Sequence, residues 1–147
     1  MSKQIYELFV HATPARVFQA IVDGEQSRQY FFGTAFTARL ERGEKHRYAF
    51  PDGSAAVDGE ILDVVPDVRL GLSWFVHYDP RCAGERSTVR YELAPMGELT
   101  KLTVTHDLAE APNTAANVGS NGWSLVLSGL KTLVETGRAM PLPPMGG

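Results

Sequence analysis

The feature that most constrains this chain is a change of hydrophobic period. From about residue 36 to residue 107 apolar side chains alternate with polar ones, and from 114 to 136 they recur at helical spacing. Phe36, Ala38 and Leu40 alternate with Thr37 and Arg39, and Tyr48 and Phe50 with Arg47. Leu70, Leu72, Trp74 and Val76 alternate with Gly71 and Ser73, Val89, Tyr91 and Leu93 with Arg90 and Glu92, and Leu102 and Val104 with Thr103 and Thr105. Each run predicts a strand with one buried face. The joins are short and carry turn residues such as Gly43, Asp52, Gly53, Pro66, Asp67 and Gly97, so neighbouring strands should run antiparallel.

The alternating region is preceded by a strand and a helical stretch. Residues 5–11 predict a strand with Tyr6, Leu8 and Val10 on one face. Thr13 is a good N-cap and Pro14 suits the first helical position; Val17, Phe18 and Ile21 supply an apolar stripe, and Gly24 a stop. Residues 25–32 predict a second short helical turn ending in Tyr30, Phe31 and Phe32.

In the last element Trp123, Val126, Leu127, Leu130, Leu133 and Val134 share one arc of a helical wheel. Ser124, Ser128, Lys131 and Glu135 share the other, and Leu125 departs from the stripe. A helix over 114–136 would be roughly 34 Å long, enough to cross a sheet. Gly137 should end it. The sum is an α+β domain over 1–138 with a loose Pro/Gly-rich tail over 139–147: one strand, two short helices, about six strands and one long helix. The helix is the element able to cover the concave face of a curved antiparallel sheet, leaving an apolar cavity between the two.

Composition bounds the function classes. The chain has 147 residues, 44% of them hydrophobic, enough for a real core and one domain. A net charge of -3 and the lack of a basic run argue against nucleic acid or an anionic membrane as partner. Apolar stretches are too short for a membrane span, and the N-terminus lacks a signal-like segment, so a cytoplasmic protein is expected. The single cysteine, Cys82, excludes an internal disulfide. Arg81 and Arg86 near it would lower a thiol pKa, but an incidental loop thiol is the favoured reading. No CxxC or HExxH pattern occurs, so no metal or other cofactor is expected.

Four segments in order carry a family resemblance: Ala12 to Phe18; Gly59 to Pro66 followed by Arg69, Leu70 and Trp74; Ser87 to Leu93 with Leu102 to His106; and Gly122 and Trp123 with Leu127, Leu130, Lys131 and Glu135 to Gly137. On these the chain resembles the START-like (SRPBCC) superfamily. Within it the chain is similar to the family of the activator of heat-shock protein 90 ATPase homologues, as a single-domain bacterial-type member. The resemblance implies the helix-grip fold, with two short helices after the first strand. It implies binding of apolar small molecules more than any fixed catalytic set. The chaperone-activating role goes with larger proteins in which this domain is one part, and is not expected here.

The candidate ligand-binding residues are Phe36, Tyr48, Phe50, Trp74, Tyr91, Trp123 and Leu127, whose large apolar faces and few polar tips suit a small-molecule cavity. Core filling is the alternative for each. A polyketide-cyclase-like or hydrolase-like enzyme would need ionisable groups inside; His106, in phase with Leu102 and Val104, is the best candidate, with Tyr78 and His46 at similar positions on other strands, so that a His–Tyr pair could act as general acid and base. A third reading is a chaperone-associated interaction module presenting Tyr30, Phe31 and Phe32. The expectation is an apolar small-molecule partner and no catalysis; the ligand and the oligomeric state are open.

Overall fold

The computed structural model describes residues 3–119 and 121–141; most of the expected tail, 142–147, lies outside the described residues. Seven strands form one antiparallel sheet: β1 (Lys3–Val10), β2 (Ala35–Ala38), β3 (Lys45–Ala49), β4 (Ala55–Val65), β5 (Arg69–Val76), β6 (Ser87–Met96) and β7 (Leu99–Asp107). Their order is β1-β7-β6-β5-β4-β3-β2, so β2 to β7 are a meander and β1 joins beside β7. The first and second strands thus lie at opposite edges. Two helices, α1 (Pro14–Val22) and α2 (Gly24–Ser27), carry the chain between them.

Local chemistry explains these elements. The Thr13 hydroxyl accepts from the Arg16 amide at 3.2 Å, and Pro14 opens α1. Asp23 ends α1, and its carboxylate then accepts from the Glu25 amide to start α2, so the stop falls one residue before Gly24. In β1, Ile5 and Phe9 point to solvent while Val10 is buried, as the period of two requires.

Two strands escape simple periodicity: in β5 the residues from Leu70 to Trp74 are all buried. In β4 Ala56 and Val57 are both buried in succession, and the register with β5 shifts between Ile61 and Asp63. A second shift lies between Tyr48 and Ala49 in the pairing of β3 with β4. Such irregularities bend the bulged strand and raise its twist, which curves this half of the sheet.

The C-terminal helical region is two helices, α3 (Pro112–Val118) and α4 (Gly122–Thr136), instead of one over 114–136. Gly119, Asn121 and Gly122 fall at the join. Glycine costs about 1 kcal/mol in a helix interior, and asparagine competes for backbone hydrogen bonds. The 15 residues of α4 span roughly 22 Å. The Ala111 cap of α3 makes no side-chain bond; the Glu85 carboxylate, from the loop before β6, accepts instead from the amides of Asn113 and Thr114. Gly137, at φ 76°, closes α4 in the left-handed conformation, its amide donating to Leu133 at 2.8 Å.

Helix α4 buries Trp123, Val126, Leu127, Gly129, Leu130 and Leu133, and leaves Ser128 and Glu135 exposed. Its apolar face joins Leu70, Leu72, Trp74, Val89, Tyr91, Leu102 and Val104 of the sheet in one core. Each large side chain so buried contributes about 1.5–3 kcal/mol.

Candidate ligand-binding site

Aromatic rings from five strands, α4 and one loop converge between the sheet and the helix. Trp74 of β5 lies 5.3 Å from Tyr48 of β3, 5.7 Å from His106 of β7 and 5.7 Å from Trp123 of α4, measured between ring centroids. Phe36 of β2 sits 5.1 Å from Tyr48, and Tyr91 of β6 sits 6.0 Å from Trp123. The loop after α2 inserts Phe31, 4.3 Å from Tyr48 and 5.8 Å from Trp123. These rings fill the gap where a cavity between sheet and helix was expected, because side chains of this size on facing surfaces reach one another across it.

Polar tips inside the cluster are paired by a definite logic. The Trp123 indole N–H donates to His106 Nδ1 at 3.0 Å. An indole can only donate, so Nδ1 carries the lone pair and the neutral ring keeps its proton on Nε2. That proton faces the Ser87 hydroxyl at 2.8 Å, which in turn donates to the Trp74 carbonyl at 3.2 Å. Burial lowers the His106 pKa to about 4. Both ring nitrogens are engaged, and neither offers a free lone pair to a reacting group.

Tyr48 and Tyr91 bring their hydroxyls within 3.0 Å. Burial raises both pKa values, so both hydroxyls keep their protons. One proton makes the bond between them; no second acceptor among the described residues bonds the other.

His46 of β3 shares the inward face with Tyr48. Its Nε2 lies 2.7 Å from the Ser73 carbonyl on β5, although β4 runs between these strands. Gly59 is the β4 residue paired with His46, and a Cβ there would stand 2.2 Å from the Ser73 carbonyl oxygen. The missing side chain lets the imidazole reach across. No donor among the described residues reaches His46 Nδ1, although the residue is buried. Burial lowers its pKa, with smaller opposing effects from the Ser73 bond and Asp58.

Beside His46 opens a cleft of about 880 Å³. Val22, Phe36, His46, Gly59 and Ser73 contribute to its wall, and Arg39, Lys45, Arg47, Asp58 and Glu60 supply charge. Its lining comes from the end of α1 and from β2 to β5, and does not include α4. Of the seven candidate ligand-binding residues, Phe36 lines this cleft. Tyr48, Trp74, Tyr91, Trp123 and Leu127 are packed in the core, and Phe50, just past β3, is half-buried.

The other candidates lie apart. Tyr78 is 42% exposed and donates its hydroxyl to Asn117 of α3, not to a histidine. Cys82 is buried in a single 3-10 turn, Pro80–Cys82, and burial pushes its thiol up despite Arg81. Tyr30 is buried with its hydroxyl donating to the Ala20 carbonyl at 2.8 Å, and Phe31 and Phe32 are half-buried against the core. The run therefore closes the interior instead of forming an exposed patch. Among the described residues no three of His, Cys, Asp and Glu gather into a metal-sized cluster, and no helix is long and apolar enough to cross a membrane. Sequence reasoning missed the free nitrogen of His46 and the inserted ring of Phe31, since both depend on contacts between distant segments. A histidine alternating with Tyr48 and facing a glycine strand position was the available signal for the first.

A curved antiparallel sheet holding a C-terminal helix over an aromatic interior defines a START-like domain of the helix-grip type. Within that class the chain belongs to the family described as activator of Hsp90 ATPase homolog 1-like protein, which matches residues 11–135. Among solved structures it is similar to DynU16, described as a protein in the dynemicin biosynthetic locus, at 25% identity and a TM-score of 0.78 over 95% of this chain and 49% of that one. The chain thus spans about half the length of DynU16. It also resembles an HSP90 activator from Plasmodium falciparum, at 18% identity and a TM-score of 0.72 over 91% of this chain and 96% of that one. The Aha1 dimer from Colwellia psychrerythraea matches at 15% identity and a TM-score of 0.73 over 95% of this chain and the whole of that one. No curated protein matches the sequence.

Proposed function

We propose that this domain binds a neutral apolar or aromatic small molecule in the cleft beside Phe36 and His46, and does not transform it. The observation that carries this reading is the cleft itself. Its volume of about 880 Å³ falls in the range of small-molecule sites, and its wall runs onto the aromatic interior at Phe36 and His46. Binding without turnover is supported by His106, whose two nitrogens are held by Trp123 and Ser87. The place of DynU16 in the dynemicin biosynthetic locus is consistent with a small-molecule partner here. The Plasmodium HSP90 activator and the Colwellia Aha1 dimer share the fold at 18% and 15% identity, a level that supports architecture and not a chaperone partner.

A thermal-shift screen of planar aromatics, fatty acids and sterols tests the reading, with tryptophan emission as a second readout. A ligand at a hundred times its Kd stabilises the native state by about 2.7 kcal/mol. For a domain of this size that is several degrees in Tm. Saturating concentrations across the whole panel with no change in Tm would end the proposal.

A further inference from the structure

Strand β1 is an edge of the sheet, with β7 on one side and no described strand on the other. The turn at Gly97 and Glu98 has two residues, so Met96 and Leu99 beside it are a hydrogen-bonded pair. Odd-numbered residues of β7 therefore turn their backbone groups to β6, and even-numbered ones to β1. Gln4, Tyr6 and Leu8 meet the latter, opposite His106, Val104 and Leu102. The amides and carbonyls of Lys3, Ile5 and Glu7 thus point out of the sheet. Helix α4 closes the far end of this edge: Lys131 Nζ donates to the Phe9 carbonyl and the His11 amide to Glu135, each at 2.7 Å. From Lys3 to Glu7 the edge is open among the described residues. Lys3, Ile5 and Glu7 also expose their side chains, Ile5 at 60%. An open edge is a template for another strand.

We propose that this open segment pairs with the same segment of a second copy of the chain, antiparallel about a two-fold axis through Ile5. Ile5 then faces Ile5 of the partner subunit, and Lys3 faces Glu7 of the partner subunit on both sides of the axis. The outward backbone groups of the two strands meet in register, and about six hydrogen bonds join them, two for each facing pair. Charge selects this register. A two-fold through Gln4 or Tyr6 would set Ile5 against Lys3 or Glu7, and one through Lys3 or Glu7 would set like charges together. Pairing about Glu7 would also need the Phe9 carbonyl and the His11 amide, which α4 already holds. Within one copy Lys101 lies 3.2 Å from Glu7, and Asp107 is opposite Lys3. Across the joint the charges of Lys101, Glu7, Lys3 and Asp107 therefore alternate in sign, and the exposed Ile5 side chains cover one another at the axis.

The test follows self-association of the full chain by sedimentation velocity over a concentration series. The native chain should move from monomer toward dimer mass as concentration rises. Lys3→Glu sets like charges together at both symmetry-related pairs and should weaken the dimer about tenfold. Adding Glu7→Lys restores opposite charges across the axis and should recover part of that loss. The Ile5 and Glu7 amides should exchange slowly with solvent in the dimer and fast in the monomer. With oxidised glutathione, Ile5→Cys should form a cross-linked dimer, because facing Cα atoms about 5.5 Å apart suit a disulfide. Phe9→Cys, four residues from the axis, should not. A native chain that stays monomeric at every concentration would leave the edge to a different partner and overturn the proposal. A dimer indifferent to Lys3→Glu, or equal cross-linking at positions 5 and 9, would overturn it as well, because either result puts the contact elsewhere. Should Lys3→Glu not fold, amide exchange in the native chain and the two cysteine variants decide. The small-molecule reading stands apart from all of these outcomes.

Discussion

Trp123 donates its indole N–H to Nδ1 of His106 at 3.0 Å, and this bond joins α4 to β7 through the middle of the core. Both residues are buried, Trp123 at 3% exposure and His106 at 0%. A helix could pack on this sheet through apolar contact alone. The bond adds direction, because it is made in one register of helix on strand. Trp123→Phe keeps most of the ring and leaves Nδ1 unpaired in an apolar setting. The expected cost is about 1–3 kcal/mol in urea denaturation, beyond what ring volume explains. A loss near zero would mean that water reaches Nδ1 in the variant and that the bond sets no register.

The same histidine gives the fold a pH dependence. His106 has a pKa of about 4 in the folded state, against about 6.5 unfolded. Between these values the unfolded chain binds the extra proton, so stability is complete above about 6.5 and falls as pH drops toward 4. The full drop corresponds to a loss on the order of 3 kcal/mol. His46, lowered in the same direction by burial, adds to the slope. Urea midpoints measured from pH 4.5 to 7.5 should rise and then level off, and His106→Gln should flatten the rise. A level profile in the native protein would contradict the buried neutral histidine.

Gly59 allows the close approach of β4 to β5. Gly59→Ala places a methyl 2.2 Å from a backbone oxygen that no rotamer change can move. We expect a loss of about 1–3 kcal/mol in stability, with weakening of the contact between His46 and Ser73. Circular dichroism melts report the first, and the histidine 15N spectrum reports the second. An unchanged Tm would show that the strands separate there at no cost.

Leu130 is 1% exposed on the sheet-facing side of α4, and Ser128 is on the opposite side. Leu130→Ala should lower unfolding free energy by about 2–5 kcal/mol. Ser128→Ala should change it by less than about 0.5 kcal/mol. Equal effects of the two would contradict the assigned helix face.

Phe31 lies 6.0 Å from Trp74 and 5.8 Å from Trp123, the two tryptophans of the chain. It is half-buried and comes from a loop, so it seals the aromatic interior from one side. Phe31→Ala should cost about 2 kcal/mol and shift tryptophan emission to longer wavelength as water gains access. Unchanged emission would place the seal elsewhere.

The sequence by itself determined the layers. Alternation along β1, β6 and β7 and the apolar stripe of Trp123, Val126, Leu130 and Leu133 are local periodicities, and each states which face must leave water. Thr13, Pro14 and Gly137 likewise act through their own backbone neighbours, so the start of α1 and the end of α4 could be read directly. Strand β4 could not, because the register shift in its pairing with β3, which leaves Ala56 without a partner, puts two buried residues, Ala56 and Val57, in a row. Nor could the break between α3 and α4 be seen by an apolar period that continues through it; there the cost of glycine prevailed. The site lies further still from local pattern. Parity correctly turned His46 and His106 inward, but the sequence does not state that Trp123 would occupy one histidine while nothing occupied Nδ1 of the other. Those outcomes depend on residues brought together from β3, β5, β7 and α4. Hydrogen bonding at a buried atom is decided by which groups arrive within about 3 Å of it, and only the tertiary structure sets that distance.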